Sequence, residues 1–198
     1  MQDEDTRGKH ASILTAAGKL FAQFGNKASM DEIARFARVA KKTIYNHFKS
    51  KEDLFEAVVR RESDTLVELI RLAVSRESTA RRKLRVYMLT KIGKMKELSN
   101  FYNVTREAAI EFWPQVEGIR ENYLKMEKNI VLDILRQGII NNEISVPEPE
   151  LTAQTIVIAV KGMEARWIMK SSNYPEDKTI EKLLDILFYG ISKRQANH

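Results

Sequence analysis

Apolar residues in the first fifty-five positions recur at helical spacing, in short runs divided by turn and capping residues. Ile13, Leu14, Ala17, Leu20, Phe21 and Phe24 repeat every three to four positions, which predicts a helix over 9–24 with Gly25 at its exit. Ser29-Met30-Asp31-Glu32 has the S-x-x-E form of a capping box and opens a short helix over 30–37, with Ile33, Ala34 and Ala37 as its buried face. A tight turn, Arg38-Val39-Ala40, leads to a third helix over 41–48, in which Ile44 and Phe48 lie one turn apart as core positions. Ser50, followed by Glu52 and Asp53, caps a long helix that reaches about Ser75.

The pattern continues as helix to the end of the chain. Polar residues 75–82 break it, and Leu84, Tyr87, Met88, Ile92 and Met95 then mark the next helix. A turn at 97–103 precedes a short helix around Val104–Phe112, and Pro114 starts another, carrying Ile119, Tyr123, Ile130 and Ile134 to Gly138. Asn141–Glu150, with Pro147 and Pro149, reads as a loop, and two helices over about 151–170 and 176–192 close the chain. The penultimate helix is apolar on nearly every side at Ile156–Val160, which one-sided packing does not require. A helix held between its own subunit and a second one does require it. The last helix carries a stripe through Ile180, Leu183, Leu184, Leu187, Phe188 and Ile191. The reading is all-α with about nine helices: residues 1–50 form a three-helix helix-turn-helix unit, and residues 51–198 a helical regulatory and dimerisation domain.

One helix start is poorly written for stability. Ala40 stands where Ser, Thr, Asp or Asn would cap the third helix, and Lys41 and Lys42 follow at the positive end of its dipole. Charge explains the choice. The chain carries +6 overall, but residues 6–51 hold ten Lys/Arg against only Asp31 and Glu32, the concentration expected of a module that binds a polyanion. The lysines and free backbone N–H groups at this start converge where a polyanion would complete them.

Other chemistry finds little support. The chain has no cysteine, which excludes a disulfide scaffold, a thiolate metal site and a Cys nucleophile. With only His10, His47 and His198, a histidine metal site is not expected. No nucleophile–base pair, phosphate-binding glycine loop or metal-ligand cluster is legible, so the chain reads as a non-enzyme without cofactor. Neither an apolar leader nor a run near the roughly 20 residues of a membrane span occurs, and a cytoplasmic protein with no membrane partner is expected.

The stretch from Gly8 to Val58 resembles the DNA-binding domain of the TetR family of bacterial transcriptional regulators. The resemblance rests on Ile13, Ala17, Leu20, Phe21 and Gly25, then Ile33, Ala34 and Ala37. It continues through Val39, Thr43, Tyr45 and Phe48 to Ser50, Lys51, Glu52, Leu54 and Phe55. It departs at Arg38, where glycine is common, and at Ala40, where serine is common. The likeness implies a third helix that enters the major groove, with Lys41 and Lys42 nearest the bases and Asn46 and His47 farther along. It implies phosphate contacts from Thr43, Tyr45 and Lys51, with Ser29, Arg7 and Lys9 as further backbone contacts. Lysine donates equally well to guanine O6/N7 or to phosphate, so the roles of Lys41 and Lys42 stay open here.

For the rest of the chain the resemblance implies a homodimer formed by the last two helices, for which Ile156, Ala159, Val160, Met163, Leu183, Leu187 and Phe188 are the candidate contacts. It also implies an enclosed pocket for a small-molecule effector. Its candidates come from the aromatic-rich middle: Tyr102, Arg106, Phe112, Trp113, Tyr123 and Trp167. The expected function is sequence-specific regulation of transcription, as an effector-responsive repressor on palindromic double-stranded DNA. The alternative is a DNA-binding interaction or architectural protein of the same fold without a ligand.

Overall fold

The computed structural model describes the backbone of residues 2–94, 106–168 and 175–190, and the side chains of 6–94, 118–163 and 175–190. Eight α-helices and no strand occur among these residues: α1 (Gln2–Phe24), α2 (Met30–Ala37), α3 (Lys41–His47), α4 (Lys51–Ser75), α5 (Ala80–Lys94), α6 (Arg106–Ile140), α7 (Pro149–Ile168) and α8 (Glu176–Tyr189). They fold as two compact units, one holding residues 2–65 and 106–123, the other 66–94, 124–168 and 175–190. Because α4 and α6 each contribute to both, packing does not divide the chain at residue 50, where the sequence analysis sets its functional boundary.

In the first unit, α1 packs on α2 and α2 on α3. Ile13, Ala17, Phe21, Ile33, Ala34, Ile44, Phe48, Leu54 and Phe55 form the core, with the rings of Phe21 and Phe55 edge to face at 5.1 Å. The chain leaves α1 through a single 3-10 turn, Gly25–Lys27, that opens on Gly25 at φ 57°, a conformation glycine adopts without steric cost.

In the second unit, α5 packs on α8, held at its rim by Arg81, which pairs with Asp185 at 2.8 Å and Glu181 at 3.2 Å. The start of α5 also lies against the end of α6. A Cβ added at Gly138 would sit 2.8 Å from Ala80 Cβ and 3.0 Å from the Ile144 side chain, so this approach excludes any larger residue. Glu143 completes the junction by accepting the Ala80 N–H at 2.6 Å, which caps α5 from the following loop.

Two sequence expectations change. The first helix begins at Gln2, seven residues before the start expected at residue 9. The separate helices expected at 104–112 and from Pro114 are one helix, Arg106–Ile140, with Pro114 inside it. Proline removes one N–H and crowds the carbonyl four residues back. Burial of Ile119, Tyr123, Ile130, Val131, Ile134 and Leu135 along the helix offsets that local cost.

Candidate nucleic-acid interface

Three helix starts lie within twenty-five residues, and two are fully capped. Ser29 Oγ accepts the Glu32 N–H at 3.2 Å, while Glu32 Oε2 accepts the Ser29 N–H at 2.9 Å, a reciprocal capping box. These bonds hold the Glu32 carboxyl below its ordinary pKa. Ser50 Oγ accepts the Asp53 N–H at 3.2 Å, and Asp53 accepts the Lys49 N–H at 2.8 Å. Between them, Ala40 is extended (φ −68°, ψ 146°) and gives α3 no side-chain cap. The residue that ends α2, Arg38, is left-handed at φ 58°, ψ 41°. That region penalises a side chain by about 1–2 kcal/mol relative to glycine. Both departures from good helix chemistry fall on the turn that aims α3.

The face of α3 follows from these anchors. Ile44 and Phe48 are buried, which turns Lys41, Lys42, Tyr45 and Asn46 outward. Tyr45 is 48% exposed, high for an aromatic ring in a packed domain. Thr43 is half-buried and His47 partly covered, its ring edge-on to His10 of α1 at 5.6 Å. His10 in turn stacks on Phe48 at 5.1 Å, and burial, then the nearby His47 and Arg61 charges, lower its pKa. No cluster of three or more metal-ligating side chains occurs among the described residues. Arg7 and Lys9 are exposed on the first half of α1.

Two of the expected DNA contacts also have work inside the chain. Ser29 is the α2 cap, and Lys51 Nζ donates to the Asn26 carbonyl at 2.7 Å, tying the start of α4 to the turn after α1. One feature was missed in the sequence: Lys41 Nζ lies 2.9 Å from both carboxylate oxygens of Asp31. The available signal was that Asp31 and Glu32 are the only acids in residues 6–51, and Glu32 is absorbed by its cap.

The expected effector residues are less informative. Tyr102 lies outside the described residues. Arg106, Phe112, Trp113 and Trp167 lie on α6 or α7, but their side chains are outside the described set. Tyr123 is 2% exposed and sits in the first unit. The second unit contains a buried charge cluster that sequence reasoning did not anticipate. Glu127 Oε1 accepts from both Tyr87 Oη and Lys91 Nζ, all three side chains being essentially inaccessible, and Glu127 Oε2 is buried with no hydrogen-bond partner among the described residues. The same unit has a cleft of about 370 Å³, lined by Arg71, Lys83, Ile130, Asp133 and Gln137 among others.

Of the expected dimer contacts, Ile156 and Val160 are buried within the chain's own core. Ala159, Met163, Leu183 and Phe188 are partly covered, and Leu187 is exposed. Among the described side chains, the outward large apolar positions on α7 are Leu151 and Ile158, two turns apart, and on α8 Ile186, Leu187 and Tyr189. The all-round apolar character of α7 thus divides into an inner face and an outer one.

Comparison with known proteins agrees with this arrangement. Residues 13–58 match the family model of the bacterial regulatory proteins, tetR family. The chain is 26% identical, over 95% of its length and 98% of the relative's, to the fatty acid metabolism regulator protein of Bacillus subtilis. It is 25% identical, over 93% of its length and 83% of the relative's, to the HTH-type transcriptional activator FasR of Mycolicibacterium smegmatis. The crystal structure of the Bacillus subtilis transcriptional regulator FadR in complex with stearoyl-CoA superposes with a TM-score of 0.69 at 25% identity, covering 92% of this chain and 99% of that one. No described helix is long and apolar enough to cross a membrane. With its helix-turn-helix built from the matched segment, the chain carries a tetR-family DNA-binding domain and is a DNA-binding transcriptional regulator.

Proposed function

We propose that this regulator binds a two-fold-symmetric operator as a homodimer, through the exposed face of α3, and releases it when a small-molecule effector binds. The observation that carries the reading is the combination in α3 of buried Ile44 and Phe48 with outward Lys41, Lys42, Tyr45 and Asn46. Nothing in folding stability asks for two lysines at an uncapped helix start, whereas a major groove does. Thr43, Lys51, Ser29, Arg7 and Lys9 would add backbone contacts, and His47, on the same helix, a base or backbone contact. The outward apolar residues of α7 and α8 support pairing of two chains, which would present two recognition helices about 34–36 Å apart.

Effector control is supported by the relatives, one of which holds stearoyl-CoA. A long-chain acyl thioester is therefore the first effector class to test. It moves the operator equilibrium only by its difference in affinity for the two conformations, and full release demands a preference of about 10⁴. Release from a site overlapping a promoter makes the protein a repressor acting inside the cell. Nothing in the site supports an enzyme.

Selection of bound duplexes from random oligonucleotides tests the DNA half of the proposal. A palindrome is expected, and an unenriched pool would leave an architectural protein as the better reading. Titration of stearoyl-CoA into free and operator-bound protein tests the other half. Equal affinities for the two forms would exclude effector control by this class.

A further inference from the structure

The two lysines at the start of α3 are adjacent in sequence but differ in their surroundings. Lys41 is chelated by both oxygens of Asp31, at 2.9 Å each, joining the first turn of α3 to the first turn of α2. Lys42 is exposed and has no ion pair among the described residues. Stability explains this pairing poorly. Both partners are more than half exposed, and ion pairs in that setting contribute little once ordering and salt screening are counted. Asp31 is nonetheless the one acid in the basic segment not used by a helix cap, and its charge is spent on a residue that faces DNA.

Charge and donor count separate the two ways in which a lysine meets DNA. Binding to phosphate draws its free energy from net charge, because it releases condensed counterions. Reading a guanine edge draws on a directed N–H aimed at O6 or N7. An ammonium with its charge matched by Asp31 has lost most of the first capacity. One of its three donors is engaged by the carboxylate, which orients the ammonium and leaves the N–H groups on its far side for the second.

We propose that Asp31 is a specificity-determining residue: it holds Lys41 for a base edge and keeps it off the phosphates, while Lys42 makes the phosphate contact. The inference rests on α3 being the recognition helix. It divides between two residues the roles that sequence alone leaves undivided. Asp31 also raises the Lys41 pKa, so the ammonium remains charged and donating throughout the physiological range.

The test uses full-length protein, the selected operator duplex and a scrambled duplex of equal length. Affinities are measured by fluorescence anisotropy between 50 and 200 mM salt. Asp31→Asn should tighten binding to the scrambled duplex and steepen the log–log salt slope by about 0.9 per subunit, about 3.5-fold per subunit across that range. The ratio of operator to scrambled affinity should fall. Asp31→Glu, which keeps the carboxylate, should restore it. Lys42→Ala should weaken both duplexes alike and flatten the slope by about 0.9 per subunit. In a Lys41→Ala background, Asp31→Asn should change little. An equal effect of Asp31→Asn with or without Lys41 would overturn the proposal, since Asp31 would then act through its own charge. So would an unchanged affinity ratio in an Asp31→Asn protein that melts at the wild-type temperature. A wild-type protein that binds both duplexes equally would instead overturn the recognition-helix reading beneath it.

Discussion

Lys41 with Asp31 and Lys91 with Glu127 pair the same two chemistries in opposite surroundings. In the DNA-binding unit the partners are 53% and 60% exposed; in the second unit they are 1% and 0% exposed. Water surrounds the first pair, so its ammonium stays within reach of a base edge while the carboxylate offsets its charge. The second has no solvent to return to. Proton affinities follow the same division: Asp31 raises the Lys41 pKa, whereas burial lowers that of Lys91 even with Glu127 pulling the other way. The comparison teaches that this chain keeps exchangeable charge on the surface of its helix-turn-helix and committed charge where it holds helices together.

The sharpest way to break that contrast is to remove one half of the buried pair. Glu127→Leu removes the carboxylate that pairs with the buried Lys91 ammonium and accepts from Tyr87, and should cost about 3–5 kcal/mol in urea denaturation. Lys91→Met combined with Glu127→Leu should recover most of that loss, because an apolar pair of similar volume avoids both desolvation penalties. If the double variant is as unstable as the single one, Lys91 and Glu127 are not one unit.

Packing offers the next largest effect. Gly138→Ala forces a methyl to within 2.8 Å of Ala80 Cβ, at the junction that Glu143 caps. Overpacking of this kind costs about 1–3 kcal/mol, and α5 and α6 have no flexible side-chain tip there to yield. The same substitution at Gly162, inside α7 where the added Cβ meets nothing, should instead raise the unfolding midpoint slightly, by about 0.5–1 kcal/mol of stability.

In the DNA-binding unit the expected sign reverses. Ala40→Ser supplies the missing cap of α3 and should stabilise the protein by about 1 kcal/mol. Arg38→Gly relieves a left-handed side chain but frees the unfolded backbone, for a net gain of about 0.5–1 kcal/mol. Substitutions that stabilise one region and destabilise the other, measured by the same melts, would confirm that only the DNA-facing turn trades stability for function. A loss of stability at either position would break the comparison.

What sequence revealed of this division depended on how local the signal was. The helix-turn-helix was legible because each element is announced within a few residues, by the apolar repeat of α1 and by Ser29–Glu32 and Ser50–Asp53. Its weak points, Arg38 and Ala40, were visible as departures from that grammar. The continuity of α6 was not, since Pro114 locally signals a start and only distant burial overrides it. Nor was the buried pair, whose partners lie 36 residues apart on different helices. Lys91 follows Tyr87 by one turn on the apolar face of α5, but a lysine there more often reaches past the core to water. For α7, periodicity identified the apolar positions without showing which were inner, as Ile156 and Val160 are, and which were outer, as Ile158 is.

The smallest expected effect concerns acid. Glu32 accepts hydrogen bonds from the Ser29 backbone and hydroxyl, which hold its pKa below the ordinary carboxylate value. The folded protein therefore binds the Glu32 proton less readily than the unfolded chain does. Its contribution to stability is complete above the ordinary carboxylate pKa and is lost as pH falls through the lowered folded value. Glu32→Gln should remove that part of the acid limb, leaving a melting temperature that depends less on pH between roughly 5 and 3. Because Glu32 is exposed, the difference should be small, and it should shrink further in high salt as the charge is screened from the start of α2. An acid limb identical in the two proteins would mean that the capping box, although geometrically complete, gives its carboxylate no preference for the folded state.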